Sequence, residues 1–207
     1  MNDGIIFGAF QIIVLIYSVV LHEVAHGLAA RSMGDRTAER LGRLTLNPLA
    51  HLDMFGSFIL PILTKMVGGF MFGYAKPVPY DPDALNDRQW GPTKVALAGP
   101  LVNLALAALA GIVIRLWGPQ MPDILLQLIG YVVWINIVLA FFNIMPIPPL
   151  DGHWLLMAVL PSRFYRLKVM LFQYQWVLLA LAIFFLFPLL APLMSALFGL
   201  LTGSGPF

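Results

Sequence analysis

The chain has 207 residues, of which 60% are hydrophobic and only 11% charged, and its mean hydropathy is +0.86. Soluble domains carry roughly 45–50% apolar and about 25% charged residues, so a water-soluble enzyme or scaffold is excluded, and a net charge of +2 is too small for a nucleic-acid surface. There is no cysteine, so a transition-metal centre would have to be built from histidine and carboxylate, without disulfides or thiolates.

The N-terminal MNDGIIFGAF lacks the basic n-region and small-residue cleavage site of a signal peptide, so the first apolar run is expected to stay in the mature protein. That run, Ile5 to Ala30, is broken only by Gln11, Tyr17, Ser18 and the group His22, Glu23 and His26. A helix crossing the hydrocarbon core needs about 20 residues, so this is the first predicted span. Arg36 to Leu46 has the β-prone residues and glycine punctuation of a short strand, as does Gly69 to Pro79. Between them, Met54 to Val67 is apolar but too short to cross and contains Pro61 and Lys65, which suggests a shallow or re-entrant piece. Tyr80 to Gly91 reads as a polar loop. Further spans are predicted over Lys94 to Trp117, Ile124 to Met145 and Val169 to Phe187. The tail from Pro188 to Leu201 is apolar but carries Pro188 and Pro192, fitting either a short interfacial or re-entrant helix or the bent end of the fourth span. The expected fold is therefore an all-α polytopic membrane protein of about four transmembrane helices. Re-entrant or short apolar segments and a small membrane-associated β element are added to it, and one domain spans residues 1–207.

Lysine and arginine set the orientation. The connection between spans one and two, with its edges, holds Arg31, Arg36, Arg40, Arg43, Lys65, Lys76, Arg88 and Lys94, and that between spans three and four holds Arg163, Arg166 and Lys168. Only Arg115 lies near the other side. By the positive-inside rule both connections face the cytoplasm and the N-terminus faces outward, which suits a bacterial cytoplasmic membrane.

The chemistry concentrates in VLHEVAHGLAA, Val20 to Ala30. Positions i and i+4 of a helix share a face about 5–6 Å apart, so His22 and His26 can reach one metal ion. Glu23 is rotated by about 100° from His22, in reach of a metal-bound water rather than of the metal. Two histidines with a carboxylate general base form the zinc-hydrolase pattern. A lone HExxH arises by chance in many proteins. Within a span, however, a buried carboxylate costs roughly 2.5–3.5 kcal/mol, and clustered ionisable groups there mark function. A catalytic zinc site needs a third protein ligand. Outside the first connection the only aspartates are Asp3, Asp123 and Asp151, and only Asp151, just after span three, falls on the same side and at the same depth as the histidines. A divalent-metal or proton transporter would also bury such groups, but no internal repeat is visible. A catalytically dead binding protein is disfavoured by the intact set.

HEVAH and NIMPIPPLDGH, about 120 residues apart, together resemble the site-2 protease family of intramembrane zinc metalloproteases. The second motif of that family, Asn-x-x-Pro-x-Pro-x-Leu-Asp-Gly, is met by Asn143, Pro146, Pro148, Leu150, Asp151 and Gly152. The likeness continues through GRLTLNPLAHLD (Gly42 to Asp53), YAKPVP (Tyr74 to Pro79) and ALAGPLVNL (Ala98 to Leu104). It covers residues 17 to 160 and looks like the compact bacterial subgroup without PDZ or cystathionine-synthase-like modules. The resemblance implies that one Zn2+ per chain is bound by His22, His26 and Asp151 and that Glu23 is the catalytic base. It also implies that Asn103 helps hold substrate or the developing oxyanion near the active site, although packing between helices would equally account for it. The implied substrates are transmembrane proteins or signal-peptide-like segments cut near the cytoplasmic face, with a strand-like segment (part of Arg36–Leu46 or Gly69–Pro79) pairing with the unwound substrate. Met54 stands where the subgroup usually has proline, which touches a turn and no ligand. His51 reads as structural or as a neighbour of the metal site, and His153 as pointing away from the zinc.

Overall fold

The structure is a computed structural model that describes residues 2–53, 56, 59, 66 and 75–205. Helix α1 (Asn2–Ser32) is 31 residues long, about 46 Å at 1.5 Å per residue, and so overshoots a hydrocarbon core of about 30 Å. Its first half exposes Ile5, Ile6, Ile12 and Ile13, whereas its second half buries Val20, Val24, Ala25 and Ala30. A short helix α2 (Thr37–Arg40) follows. Then come 3-10 turns at Pro48–His51 and Pro82–Ala84, α3 (Gly91–Trp117) and α4 (Asp123–Asn143). Beyond a tight turn lie α5 (His153–Val159), α6 (Tyr165–Gln173) and α7 (Gln175–Leu181), and one π-helical turn at Ala182–Leu186 leads into α8 (Phe187–Thr202).

Among the described residues, four helical stretches are long and apolar enough to cross a membrane: Gly4–Ser32, Gly91–Gln120, Asp123–Asn143 and Gln175–Thr202. The first three match the predicted spans to within a few residues. Helices α1, α3 and α4 pack together, and α8 leans on α3 and α4. The buried stripe of α3 runs Ala96, Pro100, Asn103, Ala107, Gly111 and Ile114, a spacing of three or four residues that brings small side chains to the helix contacts. Lipid tails solvate leucine as well as a protein core does, so close approach through small residues drives such association. Ala107, Ile114, Val133, Ile137, Met194 and Phe198 close the core between α3, α4 and α8.

The fourth span is displaced from the sequence expectation. It begins at Gln175, not Val169, and continues through the tail to Thr202. Residues 169–173 belong to α6, on the segment from which Lys168 donates to the Met157 carbonyl. Pro188 is tolerated because it sits in the first turn of α8, where its missing N–H breaks no bond within that helix, and the π-helical turn absorbs the join. Of the two alternatives for the tail, the structure shows the continuation of the span.

The expected β element is also corrected: there is no strand among the described residues. In Arg36–Leu46, Asp35 accepts from the Thr37 N–H and hydroxyl and starts α2. Gly42, at φ +65°, ends α2 with paired bonds from Gly42 to Glu39 and from Arg43 to Ala38, a Schellman closure that a strand cannot share. Residues 75–80 form no ladder; Pro77 and Pro79 have no N–H to give. Residues 69–74 of the second strand reading, and nearly all of Met54 to Val67, lie outside the described residues. Asp35 is buried. Burial works against its charge, yet hydrogen bonds from Thr37 and the Asp81 N–H, with Arg40 nearby, hold its carboxyl below the usual 3.8.

Candidate metal centre

Two helical turns, one on α1 and one on α3, build the first half of the site. His22 and His26 lie one turn apart on α1 with ring centroids 4.7 Å apart and planes at 87°, and both are buried. Each ring is fixed from α3. His22 Nδ1 lies 2.6 Å from Asn103 Oδ1, and His26 Nδ1 lies 2.7 Å from the Val95 carbonyl. The Val95 carbonyl can only accept, so His26 Nδ1 carries the hydrogen and Nε2 presents its lone pair.

Asp151 completes the group from the turn after α4. The chain doubles back through bonds from Leu150 N–H to Ile147 and from Gly152 N–H to the Asn143 carbonyl at 2.7 Å, and Leu150 is anchored beside Met145, Leu179 and Ala182. A Cβ at residue 152 would fall 2.1 Å from the Ile144 carbonyl oxygen, so only glycine allows this fold-back. Asp151 Oδ2 consequently reaches 2.9 Å from His22 Nε2 and 3.3 Å from His26 Nε2. His22, His26 and Asp151 offer ligand atoms all within 4.8 Å of one another, and among the described residues they form a group that could hold a metal ion.

A neutral imidazole has one N–H. With the Nδ1 hydrogens given to Asn103 and Val95, two Nε2 lone pairs and a carboxylate oxygen face each other, an arrangement that a metal ion, or a proton on an imidazole, reconciles. His26 Nε2 is buried without a hydrogen-bond partner. A Cβ on Gly99 would lie 2.6 Å from His22 Nε2 and 2.6 Å from His26 Nε2, so the absent side chain leaves open the space beside both nitrogens. Two imidazoles, one carboxylate and an open position match the donor set of a catalytic zinc site. The Nδ1 bonds to carbonyl oxygens are the usual means by which such ligands are oriented.

Glu23 is partly buried, and its Oε2 accepts from the Val78 N–H at 2.8 Å. The 76–78 segment is strapped over α1: Lys76 N–H donates to the His51 carbonyl, and the Arg43 guanidinium binds the carbonyls of Lys76 and Pro77. Between Lys76 and Pro79 both available N–H groups are thus engaged. Asn103 is fully buried, and its amide nitrogen donates to Asn136 Oδ1 and towards the Ser18 carbonyl. His51 is buried and bonds the Thr45 carbonyl through Nε2. His153 donates through Nδ1 to the Leu150 carbonyl. Neither belongs to the three-residue group. Sequence reading did not anticipate Val95 or Ser18 at the site. Nor did it assign Asn136 or Gly99 to the site. The available signal was polar or side-chain-free positions on the buried stripes of otherwise apolar spans.

A family model described as Peptidase family M50 matches residues 10–123 and 118–187. A Bacillus subtilis protein named "Putative zinc metalloprotease YwhC" is 35% identical over 159 residues, covering 73% of this chain and 69% of that one. Proteins of the same description are Rip2 of Mycolicibacterium smegmatis, 33% identical over 149 residues (70% of this chain, 56% of its own), and MJ0611 of Methanocaldococcus jannaschii, 34% over 151 (70% and 71%). The chain thus spans little more than half the length of Rip2. No solved structure matches. With four apolar helices and a match that runs from α1 through the Asp151 turn, the chain belongs to peptidase family M50 and is a multi-pass membrane metalloprotease.

Proposed function

We propose that this protein is an intramembrane zinc endopeptidase in which the whole chain acts as one domain. On this reading it cuts transmembrane or signal-peptide-like segments of other proteins near the cytoplasmic face. The observation that carries the reading is the convergence of His22, His26 and Asp151, lone pairs inward, on the space left by Gly99. Zinc is the metal the donor set suits, and the names of the relatives point to the same ion. The positive charge gathered at the site end of the bundle supports an N-terminus outside and the site facing the cytoplasm.

In this reading His22, His26 and Asp151 hold the ion, which supplies Lewis acidity and lowers the pKa of water towards ~7. Glu23 takes one proton from the attacking water as its oxygen adds to the peptide carbonyl carbon, then delivers that proton to the leaving nitrogen as the C–N bond breaks. Glu23 Oε2 accepts from the Val78 N–H, which leaves Oε1 for that proton. A substrate helix has to unwind locally, since its amides are hydrogen-bonded and shielded.

Glu23→Gln separates binding from chemistry. Purified variant protein is expected to keep stoichiometric zinc while cleavage of a helical substrate in detergent or liposomes falls by at least ~10³-fold, within the range reported for loss of a catalytic group. Unchanged turnover removes Glu23 as the base; wild-type protein free of zinc overturns the reading itself.

A further inference from the structure

A polar chain buried in the middle of the bundle ends on His22, and its hydrogens can be assigned one after another. The Asn136 amide nitrogen lies 2.9 Å from the Val132 carbonyl, one turn earlier on α4, and 3.0 Å from Ser18 Oγ on α1. A carbonyl oxygen only accepts, so Asn136 must donate there, and its Oδ1 must face Asn103. Asn103 then donates to that oxygen at 2.7 Å, and its nitrogen also faces the Ser18 carbonyl at 3.4 Å. Its own Oδ1 is left to accept from His22 Nδ1 at 2.6 Å. Asn103 and Asn136 are 0% exposed and Ser18 is 4%, so no water competes for these groups.

We propose that Asn136, with Ser18 and Asn103, forms a relay that fixes the tautomer of His22, keeping hydrogen on Nδ1 and the Nε2 lone pair on the metal position. Asn136 and Ser18 are positioning residues here, and so is Asn103, whose amide hydrogens are both spent within the relay. The consequence is directional. Without the Asn136 oxygen, the Asn103 amide is held only by the long contact to Ser18 and is able to turn its N–H towards His22. That would leave Nδ1 as acceptor and put the hydrogen on Nε2, aimed at Asp151, a tautomer that cannot bind metal through that atom. In lipid the chain gains weight because hydrocarbon offers no alternative partners.

The inference rests on the zinc reading of the site, and the two fail separately. The test is zinc affinity by competition with a chromophoric chelator, on full-length protein in detergent, for wild type, Asn136→Leu, Ser18→Ala and Phe198→Ala. Asn136→Leu is expected to weaken zinc binding ~10–100-fold, the usual effect of removing a group that orients a metal ligand. Ser18→Ala should weaken it less. Phe198→Ala, a packing change in the core between α3, α4 and α8, should lower Tm and leave zinc affinity unchanged. Zinc affinity of Asn136→Leu equal to wild type overturns the relay. Should Asn136→Leu fail to fold, ¹⁵N-histidine NMR of the wild type decides: His22 with a protonated Nδ1, with or without zinc, supports the relay, and His22 with hydrogen on Nε2 overturns it. Wild-type protein that binds no zinc defeats the proposed function, while the tautomer measurement still judges the relay.

Discussion

The two ends of the helix bundle are held together in different ways. At the site end, helices and the 76–78 segment are joined by directed bonds between Asn103 and His22, Val95 and His26, Asn136 and both Ser18 and Asn103, and Val78 and Glu23. At the other end, α3, α4 and α8 meet mainly through Ala107, Ile114, Val133, Ile137, Met194 and Phe198, with Trp134 edge-on to Phe198 at 6.1 Å and one directed bond, from the Arg115 guanidinium to the Leu200 carbonyl. Hydrocarbon solvates apolar side chains, so the second end relies on close packing. The first end has a geometry that packing alone could not specify, since a rotated imidazole fills the same volume as a correctly placed one. In this membrane protein apolar contact supplies most of the cohesion and buried polar contact supplies registration.

Among changes that leave the polar groups of the site in place, Gly99 should matter most. Gly99→Ala adds one carbon on a small-residue helix face that would otherwise accept it, yet at 2.6 Å from both Nε2 atoms that carbon forces the imidazoles or α3 to move. Catalysis is expected to fall ~10²-fold, as an ångström of misplacement can cause, with weaker zinc binding and little change in Tm. Both readouts come from the chelator and cleavage assays above. Retention of zinc affinity and rate would show that the site tolerates looser registration than this comparison holds.

Phe198→Ala probes the opposite end. Removing a fully buried aromatic from a soluble core costs about 3–5 kcal/mol, through transfer and cavity contributions. In lipid the transfer contribution largely vanishes, leaving lost packing, so a smaller cost of ~1–3 kcal/mol is expected. Thermal denaturation in detergent measures it. A loss of zinc affinity as great as that in Asn136→Leu would break the separation between the two ends.

The division also explains what the sequence allowed one to read. Apolar runs of about 20 residues announce themselves, and the first three spans fell near their predicted limits. His22, Glu23 and His26 were visible because three ionisable groups inside a span are costly. Asp151 was visible because few aspartates lay at the right depth, and the structure brings His22, His26 and Asp151 together. The fourth span was misplaced because the 169–172 part of α6 and the tail are both apolar, and hydropathy cannot show that Tyr174 ends one helix or that a π-helical turn joins two others. The strand reading of Arg36–Leu46 failed because β-prone side chains there were outweighed by local hydrogen bonds that Asp35 accepts from Thr37 and by the Gly42 closure. The relay through Asn136 was out of reach for another reason. Which amide bonds which ring depends on helix rotation and depth, and one residue's rotation turns a buried asparagine towards lipid.

An effect of similar size to that of Phe198→Ala, but dependent on pH, concerns Asp35, which extends the registered end beyond the membrane. Its carboxylate ties the start of α2 to the 81–84 turn by accepting from Thr37 and Asp81, and its folded pKa lies below the ordinary 3.8. A group whose folded pKa is depressed stabilises the protein above its unfolded value and loses that contribution as pH falls through the folded value. From pH 5 to 8 the wild type should therefore exceed Asp35→Asn by a constant margin of ~1–3 kcal/mol, the range for hydrogen bonds to a buried charge. Below the ordinary aspartate value the margin should shrink, as denaturation in detergent across pH would show. Phe198→Ala should keep its deficit at every pH, since neither it nor its neighbours in that core titrate. Parallel pH curves for Asp35→Asn and wild type would mean that this carboxylate is not held in its charged form, and that registration outside the bilayer rests on Thr37 and the backbone instead.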